Sequence, residues 1–276
     1  MVTFGFIGFG SMARMLINSL MKYADVKPSD IAVTRKDKNK FHEISSVFPN
    51  IYIYETCAEI AINTRCIFIC AKPADIKNIL LEIKSYVNDN THIISLAGTV
   101  KLENILKIID GKVSKLIPTI TSELGVGINL MCHSQTVSEN DIIFLESYIS
   151  KFGKIKRVND NDIGFAAELT SCAPGFIASI FENMVEIATL HTSSFSYQEI
   201  NEMISYTLYA TSKLIIENDT SFEKVIERVA TKGGITKEGV AVFDELLPNV
   251  FEKMFISTLS KRALVEERVN KDFSSI

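Results

Sequence analysis

The residues best suited to chemistry in this chain lie in a glycine-rich turn between an apolar run and a helical pattern. The turn consists of Gly8, Phe9, Gly10, Ser11 and Met12. A glycine turn that leads into a helix leaves backbone N–H groups free, and these donors together with the helix dipole bind a pyrophosphate. Gly8 allows the tight turn and Gly10 lets the phosphates approach, while Ala13 replaces the third glycine of the usual pattern.

A second candidate site follows the predicted second strand, where the chain reads Thr34, Arg35 and Lys36. Sheets that bind NAD usually place Asp or Glu here to accept from the ribose 2′-OH. Two cations and a hydroxyl favour a 2′-phosphate instead. The sequence therefore predicts NADPH as the cofactor, with NADH as the second choice. The alternative interpretation is an ordinary solvated basic loop.

Two further segments follow predicted strands, and ligands of doubly wound sheets bind outside the carboxyl ends of strands. Ala71, Lys72 and Pro73 come after the fourth strand, and we expect them to border the cofactor. Ala97, after the fifth strand, is expected on the nicotinamide side. For Lys72 an equally simple interpretation is a surface residue beside a turn proline.

Paired glycines occur again near the C-terminus, in the segment Thr231-Lys-Gly-Gly-Ile-Thr236 between two predicted helices. Consecutive backbone amides at a helix N-terminus form a site of the size of a carboxylate. The alternative is that Gly233 and Gly234 only turn the chain and that Thr236 is the N-cap of the next helix.

The elements that position these segments divide the chain into two halves. Strands are predicted at 2–7, 31–34, 51–53, 66–70, 92–96 and 114–117, with more near 126–132 and 153–157. Helices are predicted between them at 11–22, 38–47, 56–62, 74–86, 101–108 and 138–151. After residue 160 only helical periodicity remains, at 162–190, 197–217, 220–230, 237–246 and 249–268, with a kink or a new start at Pro174.

This alternation predicts an α/β fold, a Rossmann-type doubly wound and mostly parallel sheet over residues 1–160. An all-helical domain follows over residues 161–276. Some of its stretches, such as 176–181 and 204–210, are apolar on more than one face and have to be buried on more than one side. A dimer that interleaves two such domains would bury them.

Composition excludes several classes of function. The 276 residues carry a formal charge of −4 and are 47% hydrophobic, which argues against a non-specific nucleic-acid partner. No continuous apolar run approaches the roughly 20 residues of a membrane span, and no signal peptide is recognisable. We expect a cytoplasmic protein without a membrane partner. Five cysteines and four histidines show no metal-ligand spacing, so no metal site is predicted.

The order of these motifs resembles the pyrroline-5-carboxylate reductase family, which makes proline with NAD(P)H. The resemblance begins at residues 7–13 and continues through Thr34-Arg35, residues 71–73 and residues 95–98. It then takes in Ala173-Pro174 and ends in the segment 229–240, which is similar to the family's specific C-terminal signature. Almost the whole chain is covered.

The resemblance implies an enzyme whose helical domain interleaves with that of a second copy, so that the active site forms between two chains. It implies that the amides of Gly233, Gly234 and Ile235 bind the carboxylate of an imino acid. It also assigns Thr236 to the position that contacts the ring nitrogen, and Thr231 to the wall of the same pocket. Thr236 is accordingly the predicted catalytic residue.

Two segments depart from the family pattern and leave alternatives open. Residues 118–121 read Pro-Thr-Ile-Thr where the family commonly has Pro-Asn-Thr-Pro. Residues 171–176 read Ser-Cys-Ala-Pro-Gly-Phe instead of Gly-Ser-Gly-Pro-Ala-Tyr, and Lys232 adds a cation to the signature. The first alternative is a related NADPH-dependent reductase of another imino or keto acid. The second is a non-catalytic, reductase-like dimer that binds NADPH.

Overall fold

A computed structural model describes residues 2–274 and contains one eight-stranded sheet. The strands are β1 (Val2–Ile7), β2 (Ile31–Thr34), β3 (Tyr52–Ile53), β4 (Thr64–Ile69), β5 (His92–Ser95), β6 (Lys112–Ile117), β7 (Ile128–His133) and β8 (Lys154–Arg157). Their order across the sheet is β3-β2-β1-β4-β5-β6-β7-β8. The strands from β3 to β6 are parallel, whereas β7 runs antiparallel to β6. The mostly parallel, doubly wound sheet of the sequence prediction is confirmed.

Helices cover both faces of this sheet. They are α1 (Ser11–Tyr23), α2 (Phe41–Val47), α3 (Cys57–Asn63), α4 (Pro73–Ile83), α5 (Leu102–Leu106) and α6 (Glu139–Ile149). Side chains alternate along each strand, so that Phe4 and Phe6 pack with α1 and α6, while Ile67 and Ile69 pack with α3 and α4. The turns that lead from the parallel strands into the following helices lie at the carboxyl edge of the sheet, where ligands of such sheets bind.

The second half of the described chain is helical. It contains α7 (Ile163–Ala167), a π-helical turn (Glu168–Cys172), α8 (Ala173–Leu190), α9 (Tyr197–Glu217), α10 (Phe222–Val229) and α11 (Ile235–Phe273). The bounds of α9 match the predicted range 197–217. As predicted for Pro174, a new helix starts beside it, because a proline in a first turn has no intrahelical N–H bond to lose.

One prediction in this half is wrong. The ranges 237–246 and 249–268 form a single helix, α11, which runs through Pro248. Proline removes one backbone donor, and the carbonyl four residues earlier belongs to Asp244. Asp244 and Pro248 are both exposed, so water can hydrogen-bond to this carbonyl and the helix continues.

Contacts divide the chain into two compact units. The first contains the sheet and extends to Pro174, and it also takes in the chain from Lys261 onward. The second consists of Gly175–Ser260. The domain boundary at 160/161 remains a sequence prediction, distinct from this division by contacts.

The helical unit has few buried apolar side chains of its own. Within α8 only Val185 is buried, within α9 only Ile200, and within α10 none. Many large apolar residues are exposed instead, among them Ile187, Leu190 and Tyr206. The stretch Ile163–Leu190 is long and apolar enough to cross a membrane by length and composition. This corrects the expectation that no segment has that character, although an interface helix has the same composition.

Candidate active site

A cleft of about 430 Å³ opens at the carboxyl ends of β1, β2 and β4. Five of the predicted cofactor residues line it, namely Gly8, Thr34, Arg35, Lys36 and Ala71. They come from three separate strand–helix turns, which the parallel strand order brings to one edge of the sheet. The structure therefore brings together residues that sequence reasoning assigned to one ligand.

Gly8 lines this cleft, and its backbone leaves no room for a side chain. Its φ is +102°, and its N–H donates to the carbonyl of Thr34 over 2.9 Å. A Cβ atom at Gly8 would lie 2.5 Å from the carbonyl oxygen of Cys70. At Gly10, by contrast, an added Cβ would meet no atom within 4 Å. Gly8 thus shapes the turn, and Gly10 leaves space beside the N-terminus of α1, as a close phosphate requires.

The other residues of the glycine turn differ in what their side chains do. Phe9 is buried in the core, with its ring 6.0 Å from that of Phe48 and Arg14 stacked over it. Its contribution to a cofactor is therefore confined to its backbone. Ser11 and Met12 form the first turn of α1, whose free N–H groups are the donors that the sequence predicts. The side chains of Phe9, Ser11 and Met12 do not line the cleft.

The basic residues after β2 are already engaged with carboxylates. Arg35 donates to Glu43 over 2.7 Å, and the Nζ of Lys36 lies 3.8 Å from a carboxylate oxygen of Asp75. The hydrogen bond from Arg35 is the largest cause that lowers the pKa of the Glu43 carboxyl group. The two cations differ in freedom, since the side chain of Arg35 is 17% exposed and that of Lys36 is 95% exposed. Of the two basic residues, Arg35 is therefore the one whose side chain is held in place by its surroundings.

Several residues that line the cleft are not predicted from the sequence. Glu55, Thr56 and Cys57 follow β3, and Asn78, Ile79 and Glu82 lie on α4. The first three could have been found, because the carboxyl end of β3 belongs to the same edge of the sheet. The three on α4 carry no local signal, since their side chains reach the cleft only through the packing of that helix.

A cysteine, Cys57, also lines this cleft. Its backbone N–H donates to Glu82 over 3.0 Å, and burial together with that carboxylate raises the pKa of its thiol to about 12. Only a thiolate is reactive. The raised pKa of Cys57 therefore gives no support for a covalent step through this thiol.

The remaining predicted cofactor residues lie at the same edge of the sheet, outside the cleft lining. Lys72 and Pro73 are the N-cap and first residue of α4, and Lys72 is exposed. Ala97 is 6% exposed, and its N–H donates to the hydroxyl of Ser95 over 3.3 Å. Below this loop, burial lowers the pKa of Lys115, an effect that neighbouring Asp160 opposes.

The segment 231–236 belongs to the helical unit and forms a tight turn before α11. Gly233 has a φ of +79°, and the N–H of Gly234 donates to the carbonyl of Thr231 over 2.9 Å. A Cβ at Gly234 would lie 2.9 Å from the hydroxyl of Thr231. Since α11 begins at Ile235, Thr236 lies inside its first turn, and the alternative that Thr236 is an N-cap is wrong. Of the three predicted amides, that of Gly234 is already used within the turn.

The described residues 2–274 hold no cluster of three or more His, Cys, Asp or Glu side chains that could bind an ion. All five cysteines are free thiols. Burial raises the pKa of the Cys66 thiol to about 12 and that of Cys70 further still. Cys66 is a core residue, and Cys70 packs against the same core cluster.

Two family models match the chain in its two halves. Residues 160–264 match the pyrroline-5-carboxylate reductase dimerisation domain. Residues 3–99 match the model described as NADP oxidoreductase, coenzyme F420-dependent.

Among individual proteins, the chain is 36% identical to pyrroline-5-carboxylate reductase 3 of Bacillus subtilis, covering 97% of this chain and 98% of the relative. It is 25% identical to ComE operon protein 4 of the same organism, covering 98% of each. The structure of pyrroline carboxylate reductase from Plasmodium falciparum with NADP bound superimposes with a TM-score of 0.83, covering 97% of this chain and 98% of that one. At 16% identity, this last match establishes the fold alone.

Proposed function

Because the chain belongs to the pyrroline-5-carboxylate reductase family, we propose that it reduces 1-pyrroline-5-carboxylate to L-proline with NADPH. It is an NAD(P)H-dependent oxidoreductase acting on a CH–NH bond. The observation that carries the proposal is the convergence of Gly8, Arg35 and Ala71 on one cleft next to the N-terminus of α1. The tight turn at Gly8, where an added Cβ would lie 2.5 Å from the carbonyl oxygen of Cys70, is the kind of glycine turn that dinucleotide-binding sheets use.

The cofactor would be held at its pyrophosphate and at its 2′-phosphate. The free N–H groups at the start of α1 bind the pyrophosphate, with Gly10 leaving space for it. Arg35 and Lys36 attract the 2′-phosphate, and Thr34, which is 2% exposed, closes the base of that pocket. Directly after β2, Arg35 and Lys36 occupy the positions where NAD-binding sheets usually carry Asp or Glu. These residues favour NADPH over NADH.

The bound nicotinamide supplies the hydride, and the protein is left with binding and orientation. A protonated cyclic imine is electrophilic at carbon without a metal or a covalent nucleophile. The chain has to place that carbon at near-attack distance and favour the developing amine. Such a reaction needs no reactive thiol, and burial raises the pKa of the Cys57 thiol in the cleft to about 12.

For the substrate, we propose the turn that precedes α11. The N–H groups of Gly233 and Ile235, at the positive end of a 39-residue helix, bind the carboxylate. Gly234 shapes the turn through its bond to Thr231. Thr236 places its hydroxyl toward the ring nitrogen as a hydrogen-bonding orienter. Lys232 adds positive charge to the same turn.

We further propose a homodimer with interleaved helical domains, in which each turn 231–236 serves the cofactor cleft of the other chain. The support is the apolar surface of the second unit, where Ile187, Leu190 and Tyr206 are 55%, 80% and 71% exposed. Such extensive apolar exposure is typical of a surface that a partner covers. The stretch Ile163–Leu190 then serves this interface rather than a membrane. Five free cysteines suit a reducing cytoplasm.

A second substrate remains a candidate because the two departing segments touch each other. The hydroxyl of Ser171 donates to the carbonyl of Pro118 over 2.8 Å. Changes in the two segments are thus coupled through this contact, and together they favour another imino acid in the second candidate.

Initial rates with five- and six-membered cyclic imino acids, each at several concentrations, discriminate between these substrates. A higher kcat/KM for 1-pyrroline-5-carboxylate supports the proposal. A tenfold preference for a larger ring would replace it with the second candidate. Tight NADPH binding without oxidation by any imine would instead indicate a non-catalytic binding protein.

A further inference from the structure

Two ion pairs, each with one buried partner, lie beside the loop that follows β5. The Nζ of Lys115, which has no exposed surface, lies 2.8 Å from Asp160 and donates to the carbonyl of Gly98 over 3.1 Å. Arg262 donates from Nη2 to Glu168 over 2.8 Å, and Glu168 is 3% exposed. The first pair belongs to the strand beside the loop. The second brings a residue from α11 to the same place.

Arg262 lies directly against two glycines. A Cβ at Gly98 would be 3.5 Å from its Nη1, and a Cβ at Gly164 would be 3.0 Å from its Cδ. The guanidinium group therefore packs on the α-carbon of Gly98, while Lys115 binds the carbonyl of the same residue. Lys115 and Arg262 therefore both contact Gly98, which follows Ala97 at the carboxyl edge of the sheet.

The turn that contains Glu168 is attached to the same edge of the sheet. It begins the π-helical turn 168–172, an irregularity that is frequent at functional sites. Ser171 of the same turn donates to the carbonyl of Pro118, which directly follows β6. The turn is thus attached to the end of β6 through Ser171, and to the loop after β5 through Glu168 and Arg262.

A contribution to folding stability does not explain well why the ion pair of Glu168 and Arg262 is present. A buried ion pair contributes no more than a well-packed apolar pair of similar volume in many proteins. Here the pair also leaves polar atoms without partners in the described chain, namely Glu168 Oε2 and Arg262 Nε, and the neighbouring hydroxyl of Thr99 is unpartnered as well. Buried polar atoms without partners are costly and call for another reason to be retained.

We propose that Glu168 and Arg262 are positioning residues for hydride transfer, which hold the backbone at Ala97–Gly98 in the place against which the nicotinamide is set. This inference rests on the proposed function, because it needs a nicotinamide at the carboxyl end of β5. Glu168 fixes Arg262, and Arg262 fixes the loop. Neither touches the reacting atoms.

The test replaces the pair with apolar residues of similar length in the double variant Glu168→Leu/Arg262→Met of the full chain. We expect the melting temperature and the dissociation constant for NADPH to stay close to those of the wild type, because apolar replacement is tolerated and the phosphates dominate binding. We expect kcat to fall about 10²-fold, the effect of misplacing a reacting group by about 1 Å.

A matched control is the double variant Glu146→Leu/Arg157→Met, which removes another ion pair of 2.7 Å, on α6 and β8. Its kcat should remain within about twofold of the wild type. An unchanged kcat in folded Glu168→Leu/Arg262→Met would overturn the inference.

If that variant does not fold, the conservative changes Glu168→Gln and Arg262→Lys are measured in the same way. Unfolding of these as well would assign the pair a purely structural role and also overturn the inference. Failure of the wild type to bind NADPH would instead refute the proposed function, so the two failures are distinguishable.

Discussion

Arg35, which lines the proposed cofactor cleft, lies 2.7 Å from Glu43. The carboxylate of Glu43 also approaches Arg14 at 3.7 Å. A 2′-phosphate that binds Arg35 has to share it with this carboxylate or displace it. The affinity for NADPH should therefore depend on both residues, and the affinity for NADH on neither.

We expect Arg35→Ala to weaken NADPH binding about 10- to 100-fold, since a hydrogen bond to a charged group is worth about 1.5–3 kcal/mol. Glu43→Gln should strengthen NADPH binding about two- to fivefold, in line with the small energies of exposed pairs. Fluorescence titration with NADPH and NADH measures both. The control is Glu267→Gln, which breaks a surface pair with Lys271. Equal changes for the two cofactors would contradict this account.

Gly8 and Gly10 should respond differently to alanine. Gly8→Ala forces a side chain into a backbone with φ of +102° and against Cys70, so we expect a loss of roughly 1–3 kcal/mol in the free energy of unfolding. Gly10→Ala meets no atom and should stay within about 1 kcal/mol. Urea denaturation gives these values.

Both glycine variants should bind NADPH more weakly. For Gly10→Ala we expect the whole loss to come from the methyl group that keeps the phosphates away from α1. If Gly10→Ala binds NADPH as tightly as the wild type, the pyrophosphate does not approach α1 at this point.

Thr236→Ala tests the proposed catalytic residue. Removing a positioned hydrogen-bonding group should lower the turnover of 1-pyrroline-5-carboxylate by roughly 10²-fold. Thr236→Ser keeps the hydroxyl and is expected to retain most of the rate. A folded Thr236→Ala variant with wild-type kcat would remove Thr236 from the mechanism.

A chain of hydrogen bonds in the core predicts acid sensitivity. His92 contacts the hydroxyl of Ser114 at 2.7 Å, Ser114 contacts His133 at 2.7 Å, and His133 contacts Glu146 at 3.2 Å. Burial is the first cause that lowers the pKa of His92 to about 4, and burial also lowers that of His133. Both imidazoles are therefore neutral in the folded protein at pH 7.

In the unfolded chain His92 takes up a proton near its ordinary pKa of about 6.5. Between pH 6.5 and 4 the unfolded state consequently binds more protons, and stability falls as the pH is lowered. For His92 alone the slope approaches about 1.4 kcal/mol per pH unit within this window. His92→Asn should flatten the profile of unfolding free energy against pH, and exposed His42→Asn should not. An unchanged profile in folded His92→Asn would show that His92 is not the responsible group.

The sequence predicts the fold well where local patterns decide it. Neighbouring residues in the sequence are enough to predict the glycine turn at Gly8, the basic residues Arg35 and Lys36 after β2, and the full length of α9. Pro248 misleads because whether proline ends a helix depends on solvent access to a carbonyl one turn earlier. Glu82 and the pair of Glu168 with Arg262 depend on contacts between residues far apart in the chain, the latter 94 positions. No local pattern encodes such contacts.

The most direct test of the central claim follows absorbance as purified protein consumes NADPH in the presence of 1-pyrroline-5-carboxylate, with L-proline identified as the product. The account predicts oxidation of NADPH in equal amount to proline formed, and slower turnover with NADH at the same concentration. Bound NADPH that is not consumed with this substrate, in protein shown to be folded and dimeric, would contradict it.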